Sequence, residues 1–406
     1  MGQEDGGRRT ASKGKKTRNQ LSRGRADRTN AQNNRKLTAE GKQNAGGGAA
    51  KAARPIGKTF QSKVNSSARS TSSKVSLTPK QAAAERFMDA TVDTGMRGIR
   101  VEFINTVKPY TPKGAATLWK EEENRAKNRY EDVPLLDDSR VKLKNNTETG
   151  KSNDDYIHAS YVKVHDDLMY ICAQGPMPNT IHHFWLMCIQ EKTKVILQLC
   201  NFYEEEKEKC SEYFPNEAEG NEWKKYGPIE VRATERTTNI PTMKKVVKTK
   251  VQVKYKDETY EILHILYGGW PDHLVAESVT TCREVRTLIH KVYDKKPIIA
   301  HCSAGIGRTG TFVAIEMAIH RILSLTDVNF TIPDIVRELR DQRMKAIQND
   351  QQYVFVFRCI VEILINEDAL AKNESVLGFI TDYDELVARK KLERAKNAAG
   401  NKSRTS

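Results

Sequence analysis

The sequence has no run of about eighteen uncharged apolar residues, which is the length that a membrane-spanning helix needs. Its first residues also contain no apolar stretch of the kind that forms a secretory signal. We therefore expect a protein without a transmembrane segment that stays in the cytoplasm.

Cysteine is scarce and shows no metal-binding spacing. The 7 cysteines are an odd number, none of them form a Cys-x-x-Cys pair, and no two histidines are spaced as zinc ligands. We therefore expect no metal and no other cofactor. A reduced protein with buried thiols is the simplest interpretation, and one of these thiols is a candidate for chemistry.

Aromatic and acidic residues are almost absent from the first 80 positions. Of the 11 Phe, 4 Trp and 14 Tyr, only Phe60 lies there, together with 19 basic and 4 acidic residues. The whole net charge of +15 therefore lies in this segment. Such a composition cannot bury enough apolar surface to offset the entropy lost on ordering. We expect residues 1–77 to be a disordered basic tail that can contact polyanions, either acidic lipids or nucleic acids.

The folded body is expected to be one α/β domain over residues 78–370. Thr78-Pro79-Lys80-Gln81 is typical of a helix start because it supplies a cap, a proline at the first helical position and a glutamine three residues after the cap. Apolar residues spaced for strands and helices predict a twisted mixed β-sheet flanked by helices. The predicted strands are at 229–232, 247–253, 260–267 and 297–300, and the later helices are at 279–292, 311–325, 332–343 and 350–366.

The end of the chain is polar and then basic. We expect residues 371–406 to form a C-terminal tail rather than part of the domain. The runs Arg8-Arg9 and Arg389-Lys390-Lys391 could act as nuclear signals, although solvated basic tails are commoner. The sequence predicts no particular oligomeric state.

Residues 301–310, HCSAGIGRTG, are the most informative segment. They follow a predicted buried strand and open a helix, so backbone N–H groups and the positive end of the helix point at one place and form an anion site. Cys302 at the entrance of this loop is a candidate thiolate nucleophile. Arg308 can bind two oxygens of the same anion. The candidate binding residues of the loop are Ser303, Ala304, Gly305, Ile306, Gly307 and Arg308.

Two other interpretations of this segment remain open at this point. Gly305, Gly307 and Gly310 also satisfy the dinucleotide-binding fingerprint, which requires an acidic residue at the end of a second strand about 20 residues later. Asp327 has the right spacing but follows a predicted helix directly, with no strand before it. The other possibility is a glycine-rich turn with a structural cysteine.

The ten residues HCSAGIGRTG resemble the signature loop of the cysteine-based protein-tyrosine phosphatases. Further sequence blocks before and after this loop occur in the same order as in that family. The blocks are KNRYEDV at 127–133, DYIHASY at 155–161, AQGP at 173–176, FW at 184–185, KC at 209–210, WPDH at 270–273, and Gln348 with QY at 352–353. The resemblance implies a non-receptor, phosphotyrosine-specific enzyme with a phosphate-binding loop between a central strand and a helix. It implies that phosphotyrosine-containing proteins are hydrolysed through a phosphocysteine intermediate, as part of signalling by dephosphorylation.

The resemblance also implies a role for each matching residue. Asp272 would be the mobile general acid that protonates the departing tyrosyl oxygen, and Gln348 would orient the water that attacks the phosphocysteine. Glu204 would pair with Arg308. Tyr130 would stack on the substrate ring, and Asp132 would accept N–H groups of the peptide. Two further residues belong to the same segment as Cys302. Thr309 could donate to the leaving thiolate, and His301 would brace the nucleophile.

The chain departs from the family in the loop that carries the acid. Leu274 and Ala276 stand where the family usually has glycine and proline. Leucine cannot adopt positive φ without strain, so we expect slower closure of this loop and a slower first step.

Rival functions are a pseudophosphatase that binds phosphotyrosine without turnover, a phosphoinositide phosphatase, and a polyanion-binding protein that acts through its tail. The intact set of Cys302, Arg308, Asp272 and Gln348 argues against the first. Ala304 and Ile306 argue against the second, because they add no positive charge inside the loop.

Overall fold

The computed structural model describes residues 76–144, 154–215 and 222–402, with side chains placed as far as residue 397. The expected basic tail, residues 1–77, lies almost wholly outside the described residues. Within the described part, no helix combines the length and the apolar composition that crossing a membrane requires.

The described residues form an α/β structure. The helices are α1 Pro79–Glu102, α2 Thr117–Lys120, α3 Glu122–Arg125, α4 Ile181–Gln190, α5 Val279–Val292, α6 Arg308–Ile319, α7 Ile332–Gln342, α8 Asp350–Asn366 and α9 Glu374–Lys402. The strands are β1 Arg140–Lys142, β2 Tyr156–His165, β3 Leu168–Ala173, β4 Val195–Gln198, β5 Tyr203–Glu204, β6 Lys207–Glu208, β7 Lys224–Tyr226, β8 Ile229–Thr237, β9 Val246–Tyr255, β10 Glu258–Tyr267 and β11 Ile298–His301. Short π-helical segments, Phe103–Val107 and His320–Ser324, continue α1 and α6.

Nine of the strands form one mixed sheet in the order β1-β2-β3-β11-β4-β10-β9-β8-β7. The strand β11 lies parallel between β3 and β4, and β10 is parallel to β4 on the other side. The carboxyl ends of β4, β10 and β11 therefore meet at one edge of the sheet. Each of these three strands is followed by a loop that reaches this edge, which is where ligands bind in many parallel sheets.

The helix α6, which follows β11, is buried along its whole length and includes one carboxylate, Glu316. Arg286 of α5 donates its Nε–H to Glu316 at 3.0 Å, and Nε2 of His290 lies 3.0 Å from the same oxygen. Burial alone would raise the pKa of Glu316, but the charges and hydrogen bonds of Arg286 and His290 together hold the pKa below its ordinary value. A charged pair thus fixes α5 against α6 beneath the sheet.

The predicted elements from residue 78 to residue 366 are confirmed with small shifts. Thr78 and Gln81 form a reciprocal capping box at the start of α1, and Ser278 caps α5. The helix predicted at 311–325 begins three residues earlier, at Arg308, and its last turn is π-helical. The twisted mixed sheet flanked by helices is also confirmed.

The C-terminal segment differs from the expectation. Residues 374–402 form the helix α9, so the boundary expected at 370 precedes a helix that packs on the body. Four apolar side chains of α9 are buried: Val376, Phe379, Tyr383 and Leu386. They recur three or four residues apart, which puts them on one face of a helix. The charged residues between them gave the segment its polar composition and concealed this face.

The packing of α9 predicts that it contributes to stability. Phe379→Ala should lower the free energy of unfolding by about 3 kcal/mol, because Phe379 is only 5% exposed and its removal leaves a cavity. Leu377→Ala is the matched control, since Leu377 is 51% exposed on the same helix. Urea denaturation measures both, and equal effects of the two substitutions would contradict the packing described here.

Candidate active site

The loop of residues 302–307 joins β11 to α6 and has a tightly constrained backbone. Gly305 has φ of 69°, and a Cβ there would lie 2.1 Å from the carbonyl oxygen of Ala173, so only glycine fits. A Cβ at Gly307 would lie 2.1 Å from Oε1 of Gln348. The N–H of Gly305 donates to Sγ of Cys302 at 3.3 Å. The thiol thus lies at the floor of a backbone cradle, as an anion site requires.

Arg308 begins α6 and is buried, with only 1% of its side chain exposed. Its Nη1 donates to Oε1 of Glu204 at 2.6 Å and to the carbonyl oxygen of Trp270 at 2.9 Å. Its Nη2 donates to Oδ1 of Asp272 at 3.1 Å. The structure therefore brings together three of the residues that the sequence singled out, and it selects Glu204 from the run of three glutamates at 204–206.

Asp272 lies in the segment 268–277 after β10, which we call the acid loop. Lys209 donates to its Oδ2 at 2.7 Å, and Arg308 donates to its Oδ1. Burial raises the pKa of Asp272, but the charge of Arg308 and the hydrogen bond from Lys209 overcome this and hold the pKa below its ordinary value. In the free protein, Asp272 is therefore ionised at neutral pH.

A cavity of about 200 Å³ opens above Cys302. It is lined by Tyr130, Asp132, Val133, Asp272, His273, Cys302, Ser303, Ala304 and Gln348. The nucleophile, the acid and the glutamine predicted from the sequence therefore share one cavity. Its size admits a phosphoryl group with an aromatic ring behind it.

Two side chains next to the loop, Thr309 and Gln352, each have a buried polar atom that makes no hydrogen bond to the described residues. Oγ1 of Thr309 is buried and has no hydrogen-bond partner among the described residues, and the same is true of Nε2 of Gln352. The other end of Gln352 accepts the N–H of Gln348 at 2.9 Å. The Thr309 hydroxyl is therefore free to donate, and its expected donation to the leaving thiolate stays a prediction.

His301 is completely buried beneath the loop. Its Nδ1 lies 3.3 Å from the carbonyl oxygen of Cys302, which can only accept, so Nδ1 carries the proton. Its Nε2 lies 2.9 Å from the hydroxyl of Tyr213. Burial lowers the pKa of His301 to about 4, so the ring is neutral at neutral pH. This geometry supports a bracing role rather than proton transfer.

Tyr130 forms one wall of the cavity, and its hydroxyl lies 2.8 Å from Oγ of Ser303. It packs against Val133, Ala304 and Ile306. Asp132 lies at the exposed mouth, where its carbonyl oxygen accepts from Lys345. Both residues are thus placed where a peptide around an aromatic side chain would contact them.

The sequence analysis missed Arg343, which holds the loop from behind. Its Nε donates to the carbonyl oxygen of Gly305 at 3.1 Å, and its Nη2 donates to that of Ala304 at 3.0 Å. Burial lowers the pKa of Arg343 to about 10, so it remains charged at neutral pH. The sequence does contain a sign that Arg343 is buried. Arg343 lies four residues after Leu339, in line with the apolar face of α7.

The acid loop also differs from the expectation drawn from its substitutions. The residue with positive φ is His273, at 56°, and not Leu274. The carbonyl oxygen of Leu274 accepts the indole N–H of Trp270 at 2.9 Å, and Ala276 is buried. Leucine at position 274 therefore adds no backbone strain in this conformation. The expected slower first step stays a prediction, but this conformation does not support the reason given for it.

Within the described ranges, no three His, Cys, Asp or Glu side chains are grouped so that they could hold a metal ion. Beside Cys302, the N–H of Gly305 points at the thiol, and the charge of Arg308 lies against Asp272. N–H and guanidinium groups are donors that suit an anionic ligand.

Comparisons with known proteins agree with this geometry. The family model described as protein-tyrosine phosphatase matches residues 124–362. The receptor-type tyrosine-protein phosphatase eta of Mus musculus is 35% identical over 249 residues, which are 60% of this chain and 19% of that protein. The human tyrosine-protein phosphatase non-receptor type 2 is 36% identical over 245 residues, or 59% of this chain and 56% of that protein.

Solved structures match as well. The structure "PTPN18 in complex with HER2-pY1196 phosphor-peptides" superimposes with a TM-score of 0.61 at 25% identity, covering 70% of this chain and 99% of the other. The resemblance stated from the sequence is therefore confirmed, with non-receptor members among the matched proteins. The chain spans about a fifth of the length of the first curated relatives that it matches.

The position of Arg343 predicts that its removal lowers both the stability of the protein and its affinity for phosphate. Arg343→Met should cost about 3 kcal/mol of stability, because the carbonyl oxygens of Ala304 and Gly305 lose their donors while buried. It should also weaken inorganic phosphate binding, because the loop that the arginine holds would relax. Arg337→Met is the control, since Arg337 is partly exposed and its ion pair among the described residues is with Asp334 on its own helix. Calorimetry and urea denaturation measure both quantities, and wild-type values for Arg343→Met would refute this role.

Proposed function

The chain belongs to the protein-tyrosine phosphatase family, and from this premise we propose that it hydrolyses phosphotyrosine in proteins. The observation that carries the proposal is the cavity that Cys302, Asp272 and Gln348 line together, with the charge of Arg308 held against Asp272. No separate cofactor is needed for the steps below, because nucleophile, acid and anion cradle all come from the chain.

In the first step, the thiolate of Cys302 attacks phosphorus and a sulfur–phosphorus bond forms. The bond between phosphorus and the tyrosyl oxygen breaks, and Asp272 gives its proton to that oxygen, so that neutral tyrosine leaves. The loop N–H groups and Arg308 hold the equatorial phosphoryl oxygens. Their contribution is electrostatic and is largest where negative charge spreads over these oxygens in the transition state.

In the second step, water attacks the phosphocysteine and transfers a proton to Asp272, and the sulfur leaves as thiolate with release of inorganic phosphate. Gln348 lines the cavity and would orient this water. Thr309 would donate its unpartnered hydroxyl to the departing sulfur. The acid of the first step thus returns to its protonated state for the next cycle.

The protonation of Asp272 needs the substrate, because the free carboxylate is stabilised by Arg308 and Lys209. A bound phosphoryl group carries about −1.5 to −2 charge at neutral pH and competes for Arg308. Its negative charge also raises the pKa of the nearby Asp272. Binding of the anion therefore favours the protonated acid that the first step requires.

The aromatic wall of the cavity supports phosphotyrosine as the substrate residue. Tyr130 lines the cavity beside Ser303, and an aromatic ring can pack against the Tyr130 ring while the phosphate reaches Cys302. A phosphoserine side chain has no ring to make this contact. Asp132 at the mouth would accept N–H groups of the peptide backbone. A pseudophosphatase is not favoured, since every group needed for turnover is in place.

The partners we propose are phosphotyrosine-containing proteins. The solved neighbour in complex with phosphorylated peptides supports this class by similarity. Contact of the basic tail with polyanions, and a location in the cytoplasm or the nucleus, stay predictions from charge and composition alone. The tail residues that would carry them lie outside the described residues.

The role of Cys302 is tested by Cys302→Ser, which exchanges sulfur for a poorly nucleophilic hydroxyl at nearly the same size. We expect no measurable turnover of a phosphotyrosyl peptide and retained binding of the peptide. A chelator should leave the wild-type rate unchanged. Turnover by Cys302→Ser would end the covalent mechanism, and loss of wild-type activity in the chelator would indicate a metal enzyme.

The role of Asp272 is tested by its dependence on pH and on the leaving group. Asp272→Asn should reduce the rate on phosphotyrosine about a hundred-fold or more, and the rate on nitrophenyl phosphate much less, because nitrophenolate leaves without a proton. The wild-type rate on phosphotyrosine should fall as pH rises and deprotonates Asp272 in the complex. This alkaline loss should be absent in Asp272→Asn. Equal losses on both substrates would remove Asp272 from the mechanism.

A further inference from the structure

The acid loop is held in place by side chains from outside it. Arg308 donates to the carbonyl oxygen of Trp270 at 2.9 Å, and its second nitrogen and Lys209 hold the carboxylate of Asp272. Further donors come from residues to which the mechanism gives no role: Asn201 and Lys245 bind the two ends of the loop, and Arg394 reaches the carbonyl oxygen of Asp272 at 3.5 Å. Asn349 binds the residue next to the acid. The amide Nδ2 of Asn349 donates to the carbonyl oxygen of His273 at 3.1 Å.

Asn349 lies directly after Gln348 and caps the helix α8. Its Oδ1 accepts the N–H of Gln352 at 2.9 Å, and its backbone is extended, as capping requires. The oxygen and the nitrogen of the Asn349 amide therefore bind two different segments. The oxygen fixes the amide to α8, and the nitrogen reaches across to the acid loop.

The carbonyl group that Asn349 binds belongs to the strained residue of the acid loop. His273 has φ of 56°, and this left-handed conformation is strained for a residue with a side chain. Strain of this kind persists only where the surroundings stabilise it. The bond from Asn349 is such a stabilising contact, and it acts one residue away from Asp272.

We propose that Asn349 is a positioning residue that latches the acid loop in the conformation in which Asp272 faces the cavity. The proposal rests on the proposed function, because it concerns the acid of that reaction. The latch also joins the loop of the acid to Gln348, so the groups used in the first and second steps are held together by one side chain.

A capping role alone would explain the bond to Gln352 but not the bond to His273. Asn349→Ser separates the two roles. Serine caps a helix about as well as asparagine, so the bond to Gln352 is kept. Its side chain is shorter and has no amide nitrogen, so the bond to His273 is lost.

We expect Asn349→Ser to lower kcat on a phosphotyrosyl peptide by about three- to ten-fold, as for the loss of one hydrogen bond. The loss on nitrophenyl phosphate should be smaller, because that leaving group depends less on the acid. Affinity for inorganic phosphate and the urea midpoint should stay at their wild-type values. The full chain is used throughout.

The matched control is Asn373→Ser at the start of α9. Asn373 also accepts a helix N–H through Oδ1, from Val376 at 3.0 Å, and it has no described bond to the acid loop. This variant should keep the wild-type rate on both substrates. A loss equal to that of Asn349→Ser would show that the exchange itself, rather than the latch, lowers the rate.

A second measurement separates the latch from a general structural effect. In an Asp272→Ala background the acid is gone, so adding Asn349→Ser should cause no further loss. An additional loss in that background, or a wild-type rate for Asn349→Ser alone, would overturn the latch. Absence of turnover by the wild-type chain would instead refute the proposed function, and the latch with it.

Discussion

The buried guanidinium of Arg308 is the group on which the candidate site depends, because it joins three segments that are distant in the sequence. It starts α6, binds Glu204 from the β5–β6 hairpin, and binds both the backbone and the carboxylate of the acid loop. A buried charge without partners would cost several kcal/mol, so these segments must remain around it. Through Asp272, the guanidinium is also connected to the cavity above Cys302. The proposed mechanism therefore makes an arriving anion compete with Asp272 for Arg308, which would link substrate binding to the protonation of the acid.

Much of this site could be predicted from the sequence because its determinants are local. The loop at 301–310 is contiguous, and the short apolar runs that mark β10 and β11 depend only on neighbouring residues. The crossover from β10 through α5 to β11 then places Asp272 and Cys302 at the same edge of the sheet. Glu204 was implied by the family resemblance, although the run of glutamates at 204–206 left the choice between neighbours to the structure.

The rest depends on contacts between distant residues, which no local pattern contains. Arg343 is one more charged residue at the end of an amphipathic helix until β2 and the loop surround it. Lys209 and Asn349 acquire their roles only from what the acid loop presents to them. The polar composition of residues 374–402 predicts a tail, although the four buried side chains of α9 have helical spacing. In the acid loop, the sequence predicts backbone strain at Leu274, whereas the residue with positive φ is His273.

The most direct measurement of the central claim is the identification of the covalent intermediate. The full chain, carrying Gln348→Ala to slow the second step, is mixed with a phosphotyrosyl peptide, quenched in acid within one turnover, and digested for mass spectrometry. We predict a phosphoryl group on the peptide that contains Cys302, formed together with one equivalent of dephosphorylated tyrosine. Release of tyrosine without a phosphoryl group on Cys302, or with the group on another residue, would contradict the account.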